Sequence, residues 1–190
     1  MSQKKQCHIV GAGAIGQYFA YELSQSFSIC LHARNDTLKS IELEDIHCKG
    51  HRLNLIEDNK KDIQLLILCT KSFQALDAFK QYQHRLNSNS IVICLFNGLG
   101  PQFEIEAMHP NTWFATTTVG VRKLEANKIK HTGVGETFIG VNSNSTKPTI
   151  PSSYLETIKQ LNWQISKNIM DKLYLKLAIN SLINPLTVIY

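Results

Sequence analysis

Cys7-His8-Ile9-Val10-Gly11-Ala12-Gly13-Ala14-Ile15-Gly16-Gln17-Tyr18-Phe19-Ala20-Tyr21-Glu22-Leu23 puts an apolar run, a glycine-rich turn and a helical pattern in direct succession. The apolar run Cys7 to Val10 reads as a strand. Ile15, Phe19 and Leu23 recur at steps of four, which lines one face of a helix running to about Gln25. Between them, Gly11-Ala-Gly13-Ala-Ile-Gly16 fits G-x-G-x-x-G in the strand–turn–helix context that gives the pattern meaning. Gly11 permits the tight turn, Gly13 lets backbone approach a pyrophosphate, and Gly16 lets helix and strand pack closely. The helix start adds unpaired N–H groups and a positive partial charge. The backbone from Gly11 through Ala12, Gly13, Ala14, Ile15 and Gly16 is therefore a candidate dinucleotide-binding segment.

Further strands and helices alternate along the chain. Phe27 to Leu31 reads as a second strand, and Asp36 as the cap of a short helix over Thr37 to Leu43. Ile46 to Ile56 is expected to form a hairpin turning at Lys49-Gly50. Ile63 to Cys69 and Ser90 to Phe96 are near-continuous apolar runs, as in parallel strands covered on both faces, with a helix from Phe73 to Leu86 between them. A short helix follows near Phe103 to Ala107. Trp113 to Val121, Lys128 to His131 and Glu136 to Val141 then read as strands, with Gly133-Val-Gly135 as a turn. Asn142 to Pro151 is a polar connection. Ser153-x-x-Glu156 is a capping box for a helix to about Leu161, and Trp163 to Ser166 an edge strand. The expected fold is α/β, Rossmann-like and doubly wound. Its sheet is parallel to about residue 100, with the later strands adding a mixed edge.

Ligands of such sheets bind at the carboxyl ends of the strands, so those ends matter most. The second strand runs into Leu31-His-Ala-Arg34-Asn-Asp36. An NAD site places an acid roughly 20 residues beyond the glycines; a 2′-phosphate is met by arginine. Arg34 favours NADP(H), while Asp36, which also serves as a helix cap, keeps NAD open. Thr70-Lys71-Ser-Phe-Gln74 ends one later strand and Asn97-Gly98-Leu-Gly100 the next. Lys71 can reach cofactor or substrate. Asn97 can fix a nicotinamide or bond a catalytic lysine.

Near the end, Lys176, Asn180 and Asn184 stand four residues apart in the apolar run Leu173 to Tyr190. That spacing puts them on one helix face, where they read as a small polar site on a rigid element. Asn184 precedes Pro185, a position biased out of helix. Lys172, one turn before Lys176, reads as a solvated lysine.

Composition narrows the function classes. The chain has 190 residues, 43% of them hydrophobic and 18% charged, with a net charge of +5. That suits one domain, or one and part of a second. The basic residues are scattered without interleaved aromatics, so no nucleic-acid partner is expected. No apolar stretch reaches the roughly 20 residues of a membrane span, and no secretory signal is legible. A cytoplasmic protein is expected. Five cysteines without C-x-x-C argue against a disulfide framework. His47, Cys48 and His51 cluster locally but lack a fourth ligand, so no metal is expected.

With GAGAIG at 11–16, His32-Ala-Arg34, Thr70-Lys71-Ser-Phe-Gln74, Asn97-Gly98-Leu99-Gly100, Thr116-Thr-Thr118 and Lys176-Leu-Ala-Ile-Asn180-Ser-Leu-Ile-Asn184-Pro-Leu-Thr187, the chain resembles the ketopantoate reductase (2-dehydropantoate 2-reductase) family. The resemblance implies reduction of a 2-oxo acid by NADPH to pantoate, within pantothenate and coenzyme A synthesis. It implies Lys176 as general acid, Asn97 at cofactor and substrate, Asn180 and Asn184 on the substrate side, and backbone contact to the cofactor near Val121. It further implies a second, all-helical domain that supplies a catalytic glutamate. On that reading residues 1–167 form the NADP-binding domain. Residues 168–190 begin the helical one, truncated, with exposed apolar residues that favour self-association. A non-catalytic NADP-binding remnant and a reductase of another 2-oxo acid are the competing readings.

Overall fold

The computed structural model describes residues 4–34, 38–59, 61–142 and 152–189, with side chains of the last stretch from Tyr154 to Leu182. The chain runs β1 (Gln6–Val10), α1 (Ala14–Leu23), β2 (Ser28–His32), β3 (Ser40–Glu44), β4 (Gly50–Asn54), β5 (Leu65–Leu68), α2 (Ser72–Gln83) and β6 (Ile91–Leu95). It continues with α3 (Pro101–Met108), β7 (Thr112–Thr117), β8 (Gly120–Glu125), β9 (Lys128–Gly133), β10 (Thr137–Gly140), α4 (Ser152–Gln160), β11 (Gln164–Ile165) and α5 (Ile169–Ile189).

The main sheet has the order β11-β10-β7-β6-β5-β1-β2. The five strands from β2 to β7 are parallel, β10 is antiparallel to β7, and β11 is parallel to β10. Chain order reverses between β1 and β5, the switch point at which such sheets bind ligands. Both faces are covered, and this explains the unbroken apolar runs. Alternate residues Cys7, Ile9, Leu65, Ile67, Ile91 and Ile93 pack on Phe19 and Leu23 of α1 and Tyr154 and Ile158 of α4. Val10, Leu66, Leu68, Val92 and Cys94 pack on Phe79 of α2, Ile105 of α3, and Ile169 and Leu173 of α5. Among the described residues all five cysteines are free, and no helix is long and apolar enough to cross a membrane.

The structure corrects the sequence reading in three places. No helix spans Thr37 to Leu43: β3 occupies Ser40–Glu44, with Ile41 and Leu43 buried between less buried glutamates. That two-residue period outweighs the helical reading. Asp36 and Thr37 lie outside the described residues. The hairpin partner of β4 is therefore β3, and the turn is Asp45 to Lys49, not Lys49-Gly50. The Asp45 carboxylate accepts the N–H groups of His47 and Lys49, each at 2.9 Å.

Second, β8 and β9 do not extend the main sheet. They join the hairpin in a separate sheet, β4-β3-β9-β8. Ile129 is the one fully buried residue of β9, and Arg122 to Glu125 of β8 face solvent, so this layer has only one face fit for a core.

Third, Trp113 to Val121 is two strands, broken at Thr118-Val119. The backbone of Gly135 crosses there so closely that a Cβ would lie 2.3 Å from Val119 N. The Ser153 cap side chain, and nearly all of the Asn142 to Pro151 connection, lie outside the described residues.

Candidate active site

The glycine turn has the geometry its spacing calls for. Gly11 has φ +111°, and a Cβ on it would meet the Cys69 carbonyl at 2.7 Å. A Cβ on Gly16 would lie 1.9 Å from Gly11 O, so only glycine lets α1 sit this close to the turn. Gly13 differs: it is exposed, and a Cβ there would touch nothing within 4 Å. Gly13 is the N-cap of α1, which has no side-chain cap and no acid in its first turn. Its free N–H groups are therefore available to an anion. Gly11 N donates to His32 O at 3.0 Å, tying the turn to the end of β2. Ala12 O accepts Gln17 Nε2 and Lys123 Nζ.

In front of this turn lies a cavity of about 930 Å³ at the carboxyl ends of β5, β6 and β7. Gly13, Ala14 and Ile15 line one side. Thr70 to Phe73, Leu95 to Asn97 and Thr116 to Val119 form the floor, and α5 closes the far side with Lys172, Leu175, Lys176, Ile179 and Asn180. Lys71 is the N-cap of α2, and Asn97 follows β6; both are exposed at the rim.

Lys176 is half-buried, and its Nζ donates to Thr117 O at 2.6 Å. Burial holds its pKa below the ordinary lysine value. Leu173 beside it is buried, but Leu177 is exposed and contributes little to this desolvation. The Thr117 hydroxyl is held by Thr137 Oγ1 at 2.9 Å and accepts Val119 N, so the carbonyl that anchors Lys176 is itself fixed.

Residues 7–144 match the sequence model of the family described as Ketopantoate reductase PanE/ApbA. The chain belongs to the ketopantoate reductase family. It is 30% identical over 191 residues to the 2-dehydropantoate 2-reductase of Vibrio cholerae serotype O1, covering 96% of this chain and 62% of that one. It is 28% identical over 194 residues to that of Pyrococcus abyssi, covering 94% and 62%. The crystal structure of 2-dehydropantoate 2-reductase from Methylococcus capsulatus has the same fold. Its TM-score is 0.79 at 17% identity, covering 97% of this chain and 64% of that one. The chain thus spans about 62% of the length of these curated relatives.

Not every site residue expected from the sequence faces the cavity. Gly13, Ala14, Ile15, Lys71, Asn97, Lys176 and Asn180 do. Gly11, Ala12 and Gly16 build the turn behind it. Arg34 is exposed beyond β2, away from the cavity lining, and Val121 packs on the core from β8 while Val119 lines the cavity instead. Asn184 lies in α5, but its side chain is outside the described residues.

Other lining residues have no role in the sequence reading. Thr117 carries the anchoring carbonyl; its motif matches the family but announces no role. Glu136 lines the cavity and accepts Gln164 Nε2 at 2.7 Å. Lys172 is not simply solvated: its Nζ lies 4.2 Å from the Phe138 ring centroid, at the cavity wall. Neither Glu136 nor Lys172 has a sequence signal, because each depends on which strand end meets α5.

Proposed function

We propose that the chain carries out NADPH-dependent reduction of 2-dehydropantoate to pantoate, with Lys176 as general acid, as a cytoplasmic step of pantothenate and coenzyme A synthesis. One observation carries this reading: Lys176 and the Gly13 helix start line the same cavity. The residues present fit the cofactor. Gly13 has no side chain to bar a pyrophosphate, α1 opens onto it without an acid, and 930 Å³ is pocket-sized for such a ligand. Residues 1–167 serve as its domain, and α5 opens a helical one at 168–190.

NADPH, when bound, supplies the hydride. The chain's residues do the rest. The α1 N-terminus binds the pyrophosphate, and Arg34 meets the 2′-phosphate from the end of β2. Lys71 and Asn97 hold the cofactor at the rim. Lys176 attracts the substrate carboxylate, stabilises charge on the 2-oxo oxygen and delivers a proton there. Asn180 and Asn184 orient the substrate without adding charge.

Arg34→Ala tests the phosphate role. Loss of a charge-assisted bond costs about 1.5–3 kcal/mol, so NADPH affinity falls roughly 10–100-fold. NADH affinity stays unchanged. A calorimetric titration that finds both cofactors equally affected contradicts it.

A second reading is a non-catalytic NADP-binding module. NADPH binding with no reduction of 2-dehydropantoate at high protein concentration selects it. A panel of 2-oxo acids separates the third reading, a reductase of another 2-oxo acid.

The outer face of α5 supports a partner proposal. Tyr174, Leu177 and Leu182, none of which lines the cavity, are 56%, 40% and 70% exposed along this helix. Such an apolar surface favours association with a second copy. Sedimentation velocity is expected to show self-association that Tyr174→Glu with Leu182→Glu abolishes; an unchanged distribution contradicts it.

A further inference from the structure

A buried cluster on the other side of the dinucleotide turn has no part in this chemistry. His8 of β1 and Cys30 of β2 are register partners, and His32 follows two residues on, on the same sheet face. Asp58 joins them from the segment after β4, which runs beside β2 through Ile56 N to Ile29 O at 2.9 Å. One ligand atom from each of His8, Cys30, His32 and Asp58 lies within 4.8 Å of the other three.

We infer that His8, Cys30, His32 and Asp58 form a binding site for a borderline divalent transition-metal ion of the zinc(II) type.

The donor set is two imidazoles, a thiol and a carboxylate, which suits zinc or cobalt(II) and not magnesium or calcium. Tetrahedral zinc, with bonds of about 2.0–2.3 Å, sets its donors roughly 3.3–3.8 Å apart, so the set is within about an ångström of closing. The surroundings are built to hold it. Arg85 clamps Asp58 through two bonds of 2.7 and 2.8 Å, and a carboxylate oxygen can accept more than one partner. The His32 ring rests on Tyr82, with centroids 4.7 Å apart. His8 is 1% exposed.

The network as it stands is half-satisfied. The imidazoles of His8 and His32 are nearly coplanar, with centroids 5.3 Å apart but facing nitrogens only 3.0 Å apart. They therefore meet edge to edge and share one proton. His8 Nε2, on the ring edge away from this pair, is buried with no hydrogen-bond partner among the described residues. A cation meets the two facing nitrogens, His8 Nδ1 and His32 Nε2, and the ring that held the shared proton carries it on its other nitrogen. The cation takes the Cys30 thiolate by expelling the thiol proton to solvent. The facing nitrogens, now 3.0 Å apart, part to roughly 3.3 Å as both turn to the ion. The bound ion would tie β1, β2 and the 55–58 segment together directly behind Gly11 and Arg34.

Cobalt(II) alone, titrated into the chelator-stripped 190-residue chain, tests the site. The expected result is one equivalent bound with a near-ultraviolet thiolate-to-cobalt charge-transfer band. Zinc(II) at about a hundredfold excess over its dissociation constant is expected to raise Tm by roughly 5–10 °C. Cys30→Ser loses the band, and Cys48→Ser, in the exposed hairpin beside His47 and His51, keeps it. No band in the unaltered chain, a band surviving Cys30→Ser, or one lost in Cys48→Ser overturns the site. His32→Gln, at a half-buried position, decides the matter if Cys30→Ser fails to fold: at least tenfold weaker cobalt binding is expected, and undiminished binding overturns the site.

Discussion

Lys176→Ala is expected to cut the rate of NADPH oxidation by 2-dehydropantoate roughly 10²–10⁴-fold, the usual worth of a positioned general acid. NADPH affinity is expected to stay within about twofold, because Lys176 is held by the Thr117 carbonyl across the cavity from the glycine turn. As the proposed general acid it would act on charge that develops only as hydride arrives, so rate is expected to fall and binding is not. The pH profile adds a sign. The acid must be protonated, so turnover falls as pH rises through the Lys176 pKa. Burial holds that pKa below the ordinary lysine value, so the fall begins at lower pH than for an exposed lysine. Full activity in the alanine variant, measured by stopped-flow absorbance, removes the proposed role.

Gly13 and Gly16 belong to one motif, yet alanine at each is expected to fail differently. In Gly16→Ala the new methyl overlaps backbone, 1.9 Å from Gly11 O, with no flexible side chain to yield. Alanine gains about 1 kcal/mol of helix propensity, but overpacking against backbone costs about 3 kcal/mol or more, so the clash wins. Tm is expected to fall by roughly 4–8 °C for the net loss of about 2 kcal/mol. In Gly13→Ala the methyl meets nothing within 4 Å, so stability is kept or slightly changed. Yet the methyl stands where the proposed pyrophosphate would approach, and NADPH affinity is expected to fall at least about tenfold. Differential scanning calorimetry paired with cofactor titration checks both. Equal loss of stability in the two variants contradicts the division of labour.

The parallel core is legible in the sequence, because a strand covered on both faces must be apolar throughout, and Leu65–Leu68 and Ile91–Leu95 are. The glycine turn is equally legible: Gly11 and Gly16 each answer a steric demand of nearby backbone. β3 is harder to read, since four residues of Ile-Glu-Leu-Glu pattern weigh little against an apparent cap at Asp36. The second sheet is harder still. Its strands come from residues 40–54 and 120–133, and only pairing of β3 with β9 shows that they form one layer. The site divides the same way. Lys176 and Asn180 advertise themselves as polar residues in an apolar helix. Thr117, Glu136 and Lys172 become neighbours only once α5 has docked on β7 and β10. His8, Cys30, His32 and Asp58 come from three separated segments, so no local spacing of the kind shared by His47, Cys48 and His51 announces them.

The proposed passage of hydride from NADPH to a 2-oxo carbon beside Lys176 would leave a mark that can be read directly. NADPH deuterated at both C4 positions of its nicotinamide is mixed with 2-dehydropantoate and the chain at high concentration, and the product is examined by mass spectrometry. Pantoate carrying one deuterium on the former oxo carbon is expected, with none formed by Lys176→Ala. Bound NADPH with no labelled pantoate would contradict hydride transfer in this cavity.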